Sequence, residues 1–341
     1  MKKYILNNTP VMTTNNFGIN NISLDLDISN NYSFNDFEIT NNDLKIIKTI
    51  EKNFNSKIGL SFDKSYKLKI YIEKIIEKPI IFTYNFNKNN TLIDEVEIYV
   101  DENSKVNLIF KYIGSDDTKC FHHLKQVINL KNNSNCNVSI INLINDSSDS
   151  FLSFENNLES NSSLTHNIID LGGKIKISNY YSKLNDNSNN NLNNIYFGTD
   201  NDIIDMNYYM DIIGKNANCN INLQGALNKK AIKNFKGTID FKKGSSKSNG
   251  NELENVILLS KEAKSKSLPM LLCSEEDVIG SHGVSSGKID DEKLFYLMTR
   301  GLSKKEAEKL IVNSNFDKII NEIKDEKIKE EILKEIDKKI L

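Results

Sequence analysis

The 341-residue sequence is poor in cysteine and poorer in proline, with four and three respectively. Cys120, Cys136, Cys219 and Cys273 lie far apart and form no C-x-x-C pair. That excludes a disulfide framework and a zinc knuckle, and it fits a reducing cytoplasm. Scarce proline suits paired strands, since proline cannot donate to a β ladder. Long apolar runs are missing too. Tyr4-Ile5-Leu6 follows Lys2 and Lys3 but stops at Asn7, too short for a signal-peptide core, and no run is long enough to span a bilayer. The net charge is only -2, so nothing global favours nucleic acid or an anionic membrane. There is no G-x-x-x-x-G-K-[ST] loop, so ATP hydrolysis by this chain is not expected, and neither H-E-x-x-H nor G-x-S-x-G occurs.

What is present falls into three parts. Residues 1–65 read as a small mixed cap. In it Phe17-Gly18-Ile19-Asn20 is a loop, Ser23-Leu24-Asp25-Leu26 a short strand, and Asn41–Phe54 a short helix with Leu44, Ile46, Ile47 and Ile50 on its apolar side. Residues 66–280 alternate apolar and polar positions, as in Lys67–Ile72 and Glu95–Val100, which predicts strands with one buried face. A polar cluster precedes a strand again and again: Glu102-Asn103-Ser104, Asn132-Asn133-Ser134, Ser160-Asn161-Ser162, Asp186-Asn187-Ser188, Lys215-Asn216-Ala217 and Lys243-Gly244-Ser245. The period of roughly 26–30 residues, with strands but no helical repeats, predicts a β-solenoid. A sandwich is the competing architecture, but it needs no such even spacing. The abundance of asparagine, isoleucine and lysine reads as a mark of an AT-rich genome rather than of a function.

Residues 281–341 turn helical. Asp290 and Asp291 can serve the start of a helix carrying Leu294, Phe295, Leu297 and Met298, which Gly301 ends. Ser303 and Glu306 form a capping box for a second helix through Ala307, Leu310 and Ile311. From Asp317, the stripe Ile319, Ile320, Ile323, Ile328, Ile332, Ile336, Ile340 predicts one long amphipathic helix.

The run Ser281-His282-Gly283-Val284-Ser285, Gly287-Lys288-Ile289-Asp290, Leu294-Phe295-Tyr296-Leu297, Arg300-Gly301-Leu302-Ser303 and Glu306-Ala307 resembles the SufB/SufD family of iron–sulfur cluster assembly proteins. Phe235-Lys236-Gly237-Thr238-Ile239 and Asn255–Ser260 are similar to two of its upstream strands. The resemblance implies a mainly β fold, a right-handed parallel β-helix between terminal helical regions. It implies a non-enzymatic subunit that pairs through its β-helix with a SufB-like protein or with itself, and binds a SufC-like ATPase through Phe295, Tyr296, Arg300 and Gly301. Ser281-His282-Gly283 matches the SufD form. Glu254 stands about where SufB types carry a cysteine. The family places His282 at the shared interface, where iron or a nascent cluster would be handled transiently, with no cofactor held stably by one chain.

The residues themselves leave alternatives open. His282 suits iron, yet a lone histidine beside a turn is often merely structural. Cys273 is a possible ligand, or core packing after Leu271 and Leu272. Cys136 and Cys219 share one phase of the repeat and read as small inward rungs. His122 and His123, adjacent on a strand, should point to opposite faces and not share an ion, despite nearby Cys120. His166 has no evident partner. The lysine run Lys229, Lys230, Lys233, Lys236, Lys242, Lys243, Lys247 reads as a solvated strand edge. Rivals of another class are a β-helix enzyme acting on polysaccharide, using Asp200, Asp202 and Asp205 beside Tyr208 and Tyr209, or a β-solenoid binding protein.

Overall fold

A computed structural model describes residues 2–12, 18–26, 28, 37–41, 44–86, 90–114 and 119–340. The chain forms a parallel β-solenoid of about seven turns, with a short hairpin before it and three helices after it. The hairpin pairs β1 (Lys2–Leu6) with β2 (Ile22–Leu26) antiparallel. Two nine-stranded sheets then face each other. One holds β3 (Phe37–Ile39), β6 (Ile80–Asn85), β8 (Lys105–Ile113), β10 (Asn135–Leu143), β12 (Ser163–Asp170), β14 (Asn189–Gly198), β16 (Asn218–Leu227), β18 (Ser248–Leu258) and β20 (Val278–Lys288). The other holds β4 (Lys45–Asn55), β5 (Ser61–Ile72), β7 (Thr91–Val100), β9 (Phe121–Leu130), β11 (Asp149–Leu158), β13 (Ile175–Leu184), β15 (Ile203–Ile212), β17 (Ile232–Phe241) and β19 (Lys264–Cys273). Each coil contributes one strand to each sheet.

The repeated polar clusters are the turns that make the coils possible. Asn103, Asn133, Asn161, Asn187 and Asn216 all have φ between 54° and 59°, and Gly244 takes the same place at 98°. Asparagine tolerates this left-handed conformation better than other non-glycine residues. The residue that follows is buried, a serine at every one of these turns except Asn216, where it is Ala217. At Ser134 its N–H and Oγ both donate to the carbonyl of Lys131, at 3.2 and 2.6 Å, and Ser162, Ser188 and Ser245 repeat the pattern. Outside the coil, asparagines bond to asparagines one turn away, as Asn157 to Asn129 and Asn220 to Asn191, both at 2.9 Å. The asparagine richness therefore has structural uses.

Inside, side chains stack coil on coil at the strand spacing. Phe82 and Phe110 lie 4.8 Å apart, Tyr84 and Tyr112 4.9 Å. One rung reads Val106, Cys136, Leu164, Asn190, Cys219, Gly250, Gly280 in unbroken register. Cys136 and Cys219 are buried on it, as their shared phase implies.

Three expectations need correction. Asn41–Phe54 is not a helix; its described part from Lys45 is β4, paired antiparallel with β5. Ile46, Ile47, Thr49 and Ile50 are β-branched, and the free edge of β5 offers backbone partners that a short helix cannot match. Phe17 and residues 42–43 lie outside the described residues. Residues 281–288 belong to β20, so helical structure starts at Asp291, beyond the expected boundary at 281. The single long helix is two. α2 (Lys304–Ile320) ends at Asn321, and α3 (Glu326–Ile340) opens after Asp325, whose carboxylate accepts from the Ile328 N–H at 2.9 Å. The break lets both helices lie on the outer face of the first sheet. There the stripe from Ile319 to Ile340 joins Val312 and Phe316 against Ile109, Ile141, Ile169, Ile195 and Phe197. α1 (Asp291–Thr299) precedes them and has no buried residue.

Candidate functional site

The last coil differs from those beneath it. Among the described residues β19 and β20 are each paired on one side only. Register shows which way their side chains point, because partners across a parallel ladder leave the sheet on the same face. Gly280 follows buried Gly250, and a Cβ there would meet Phe241 and Leu271 across the lumen. His282 is thus on the inward phase, directly above Glu252, and Val284 above Glu254. His282 is exposed because no further coil covers it. Cys273 continues the phase of Phe241 and is also exposed. It ends β19, whereas His282 is the fifth residue of β20, so roughly 13 Å of strand separates them. The structure does not bring this cysteine and histidine together. Among the described residues no group of three or more His, Cys, Asp or Glu is gathered for a metal ion.

Beneath the rim lies a buried charged cluster. Lys233 Nζ is 2.6 Å from Glu254 Oε1, with both side chains fully buried. Tyr196 donates to the same oxygen at 2.7 Å, and Ser267 donates to Oε2 at 2.5 Å. Lys233 also donates to Ser267 Oγ at 2.8 Å and to the Lys266 carbonyl at 3.3 Å. Burial lowers the Lys233 ammonium pKa, with Glu254 opposing it. Glu252 is 1% exposed, and neither carboxylate oxygen has a hydrogen-bond partner among the described residues. Burial, then the neighbouring Glu254 charge, pushes its carboxyl pKa up to about 8. Its carboxylate lies over Gly237 across the lumen, where an added Cβ would fall 2.1 Å from Oε2.

The lysine run is thereby corrected. Lys233 and Lys236 are buried, the latter 2.5 Å from Asp205 on the outer face of the second sheet. β17 is an interior strand, so its residues have no solvated edge to occupy. Sequence reading missed Glu252 as well. The alternation Glu252-Leu253-Glu254 places both acids on one face, and that signal was available.

The other candidates are used structurally. His122 faces the lumen, 3.1 Å from Asp94, while His123 faces out to Ser56 at 2.9 Å, among Phe54 and Phe62. His166 packs edge-on against Phe154, and burial alone lowers its pKa to about 3. Cys120 is buried. Asp200 pairs with Lys229, Asp202 with Lys176 and Asp205 with Lys236. Tyr208 is inside the lumen. The polysaccharide reading is left without a free acidic cluster on one face.

Next to the bare end stands α1. Asp290 caps it through the Glu292 and Lys293 N–H groups, Gly301 ends it at φ 96°, and the Ser303–Glu306 capping box opens α2 as the residues imply. Phe295 is 69% and Tyr296 57% exposed, with Arg300 over the Tyr296 ring at 5.2 Å. Met298 on α1 and Leu310 on α2 are exposed as well. No helix among the described residues is long and apolar enough to cross a membrane.

Residues 82–315 match the family model for the SUF system FeS cluster assembly SufBD core domain. The iron-sulfur cluster assembly protein SufD of Escherichia coli is 25% identical over 243 residues, 70% of this chain and 57% of that protein. SufD of Bacillus subtilis is 34% identical over 116 residues, 34% of this chain and 26% of that protein. A SufBD family protein of Pyrococcus horikoshii is 38% identical over 69 residues, 20% of this chain and 16% of that protein. The chain thus spans between about a quarter and just over half of the two SufD proteins.

Proposed function

We propose, since the chain belongs to the SufB/SufD family of SUF-system iron–sulfur cluster assembly proteins and is SufD-like within it, that it works as a non-catalytic subunit of an assembly complex. The supporting observation is the bare last coil. β19 and β20 offer unpaired backbone edges, and such an edge is a template for pairing with another chain. Ile279 and Val284 are exposed on β20 around His282. A SufB-like β-helix, or a second copy of this chain, pairs there. His282 then lies in the seam and handles iron or a nascent cluster, whose remaining ligands come from the partner. Phe295, Tyr296 and Arg300 on α1 dock a SufC-like ATPase, which supplies the energy this chain has no phosphate loop to obtain.

The test is anaerobic affinity capture of the full chain from its host, with mass spectrometry of what accompanies it. Recovery of a SufC-like ATPase, lost in the Phe295→Ala, Tyr296→Ala double variant, supports the docking role. Recovery of a SufB-like chain separates hetero- from self-pairing. Capture of the chain alone, with no ATPase, overturns the proposal.

A further inference from the structure

We propose that Glu252 is the second ligand of a ferrous-iron half-site whose first ligand is His282; this rests on the role of His282 given above. The two residues sit on adjacent strands in direct register, one coil apart, with side chains on the same face of the sheet. Adjacent parallel strands are about 4.8 Å apart, a separation that two ligands of one ion can bridge. Glu252 is buried, and both of its oxygens lack partners among the described residues. A buried carboxyl group with neither oxygen partnered is costly, and a cation that meets it removes that cost.

The buried ammonium of Lys233 is already committed elsewhere. All three donors of Lys233 are engaged, by Glu254, Ser267 and the Lys266 carbonyl. The fold nevertheless keeps space for the carboxylate, since Gly237 opposite has no Cβ to fill it. Above lies the last coil, with Pro269 in register over Gly237 and His282 over Glu252. One hard oxygen and one imidazole nitrogen form a donor set that suits a divalent first-row ion such as iron(II). The open side leaves its other positions to water or to the partner chain. Glu252 would then hold iron from beneath while His282 presents it at the rim.

The experiment is an anaerobic titration of the full-length chain with iron(II), read by calorimetry, and with cobalt(II), read by its ligand-field absorption. Wild type should bind one ion per chain. Glu252→Gln, which keeps the volume, should weaken binding at least tenfold and change the cobalt spectrum. Gly237→Ala should weaken it similarly, because it displaces the carboxylate without removing it, and this variant decides if Glu252→Gln fails to fold. His282→Ala should also weaken binding. If Glu252→Gln and Gly237→Ala bind like wild type while His282→Ala does not, the Glu252 assignment is overturned and the His282 role stands. If only His282→Ala binds normally, the His282 role fails and the paired site with it. No binding above buffer in wild type overturns the half-site and leaves the ATPase and pairing tests untouched.

Discussion

The two ends of the solenoid are built differently. At the first, β3 and β4 reverse direction and pair antiparallel with β6 and β5. The reversal stops the parallel stack. At the other, β19 and β20 continue the parallel register and then the coil simply ends. The buried faces differ too. The first coils carry stacked Phe82–Phe110 and Tyr84–Tyr112 with the His122–Asp94 pair, whereas near the other end Glu252, Glu254 and Lys233 are buried beneath exposed His282. Among the described residues β3 and β4 are also paired on one side only, but they run against the stack, whereas β19 and β20 present an edge that continues the parallel register. Stacked aromatic rings lie toward the antiparallel end and the Lys233–Glu254 pair toward the parallel one.

Four changes would break or sharpen this contrast. The largest effect belongs to the first coils. Phe110→Ala removes a fully buried ring from an aromatic stack and should cost about 3–5 kcal/mol in urea unfolding. Leu271→Ala in the last coil, only partly buried, should cost under about 1 kcal/mol. Equal losses would dissolve the distinction.

Acid should act next, on the middle of the stack. Burial holds the His166 and His123 pKa values at about 3, below the ordinary 6.5. Their neutral form contributes stability that is whole above pH 6.5 and declines as pH falls toward 3, because only the unfolded chain takes up the proton. At pH 4.5 each imidazole should cost roughly 2–3 kcal/mol relative to pH 7. His166→Leu should remove one such share from the measured pH dependence. An unchanged slope would show that His166 is already protonated in the fold.

A turn substitution is smaller. Asn133→Ala places a Cβ-bearing residue with no compensating side chain at φ 58° and should cost about 1–2 kcal/mol, with Asn133→Gly nearer to neutral. The smallest stability change is expected at the bare edge. Ile279 is 69% exposed, so Ile279→Lys should alter unfolding by less than about 0.5 kcal/mol. It should nonetheless abolish the proposed edge pairing in sedimentation velocity, since lysine guards an edge. Pairing that survives the lysine would place the interface elsewhere.

Much of this was legible from the residues alone. The alternation through Val106, Cys136 and Cys219 marks the inward rung, and the Asn-Ser clusters mark its turns. Local chemistry also fixes the caps at Asp290 and Ser303, because each needs only partners two or three residues away. The stripe from Ile319 to Ile340 identified the buried positions but not the break at Asn321–Asp325. A single apolar face is compatible with one helix or with two folded onto one surface.

The sequence by itself determined the coil: a strand phase of two, a left-handed asparagine at each turn, and a helical tail with its own caps. Only tertiary structure decided the rest. Residues 45–55 became a strand because β5 had an open edge. Lys233 and Lys236 were buried because β17 lies inside a sheet, and Glu252 came to face Gly237 because two sheets enclose one lumen. His282 came to lie over Glu252 because one coil returns the chain to the same rung. These relations join residues distant in sequence, and no local propensity encodes them.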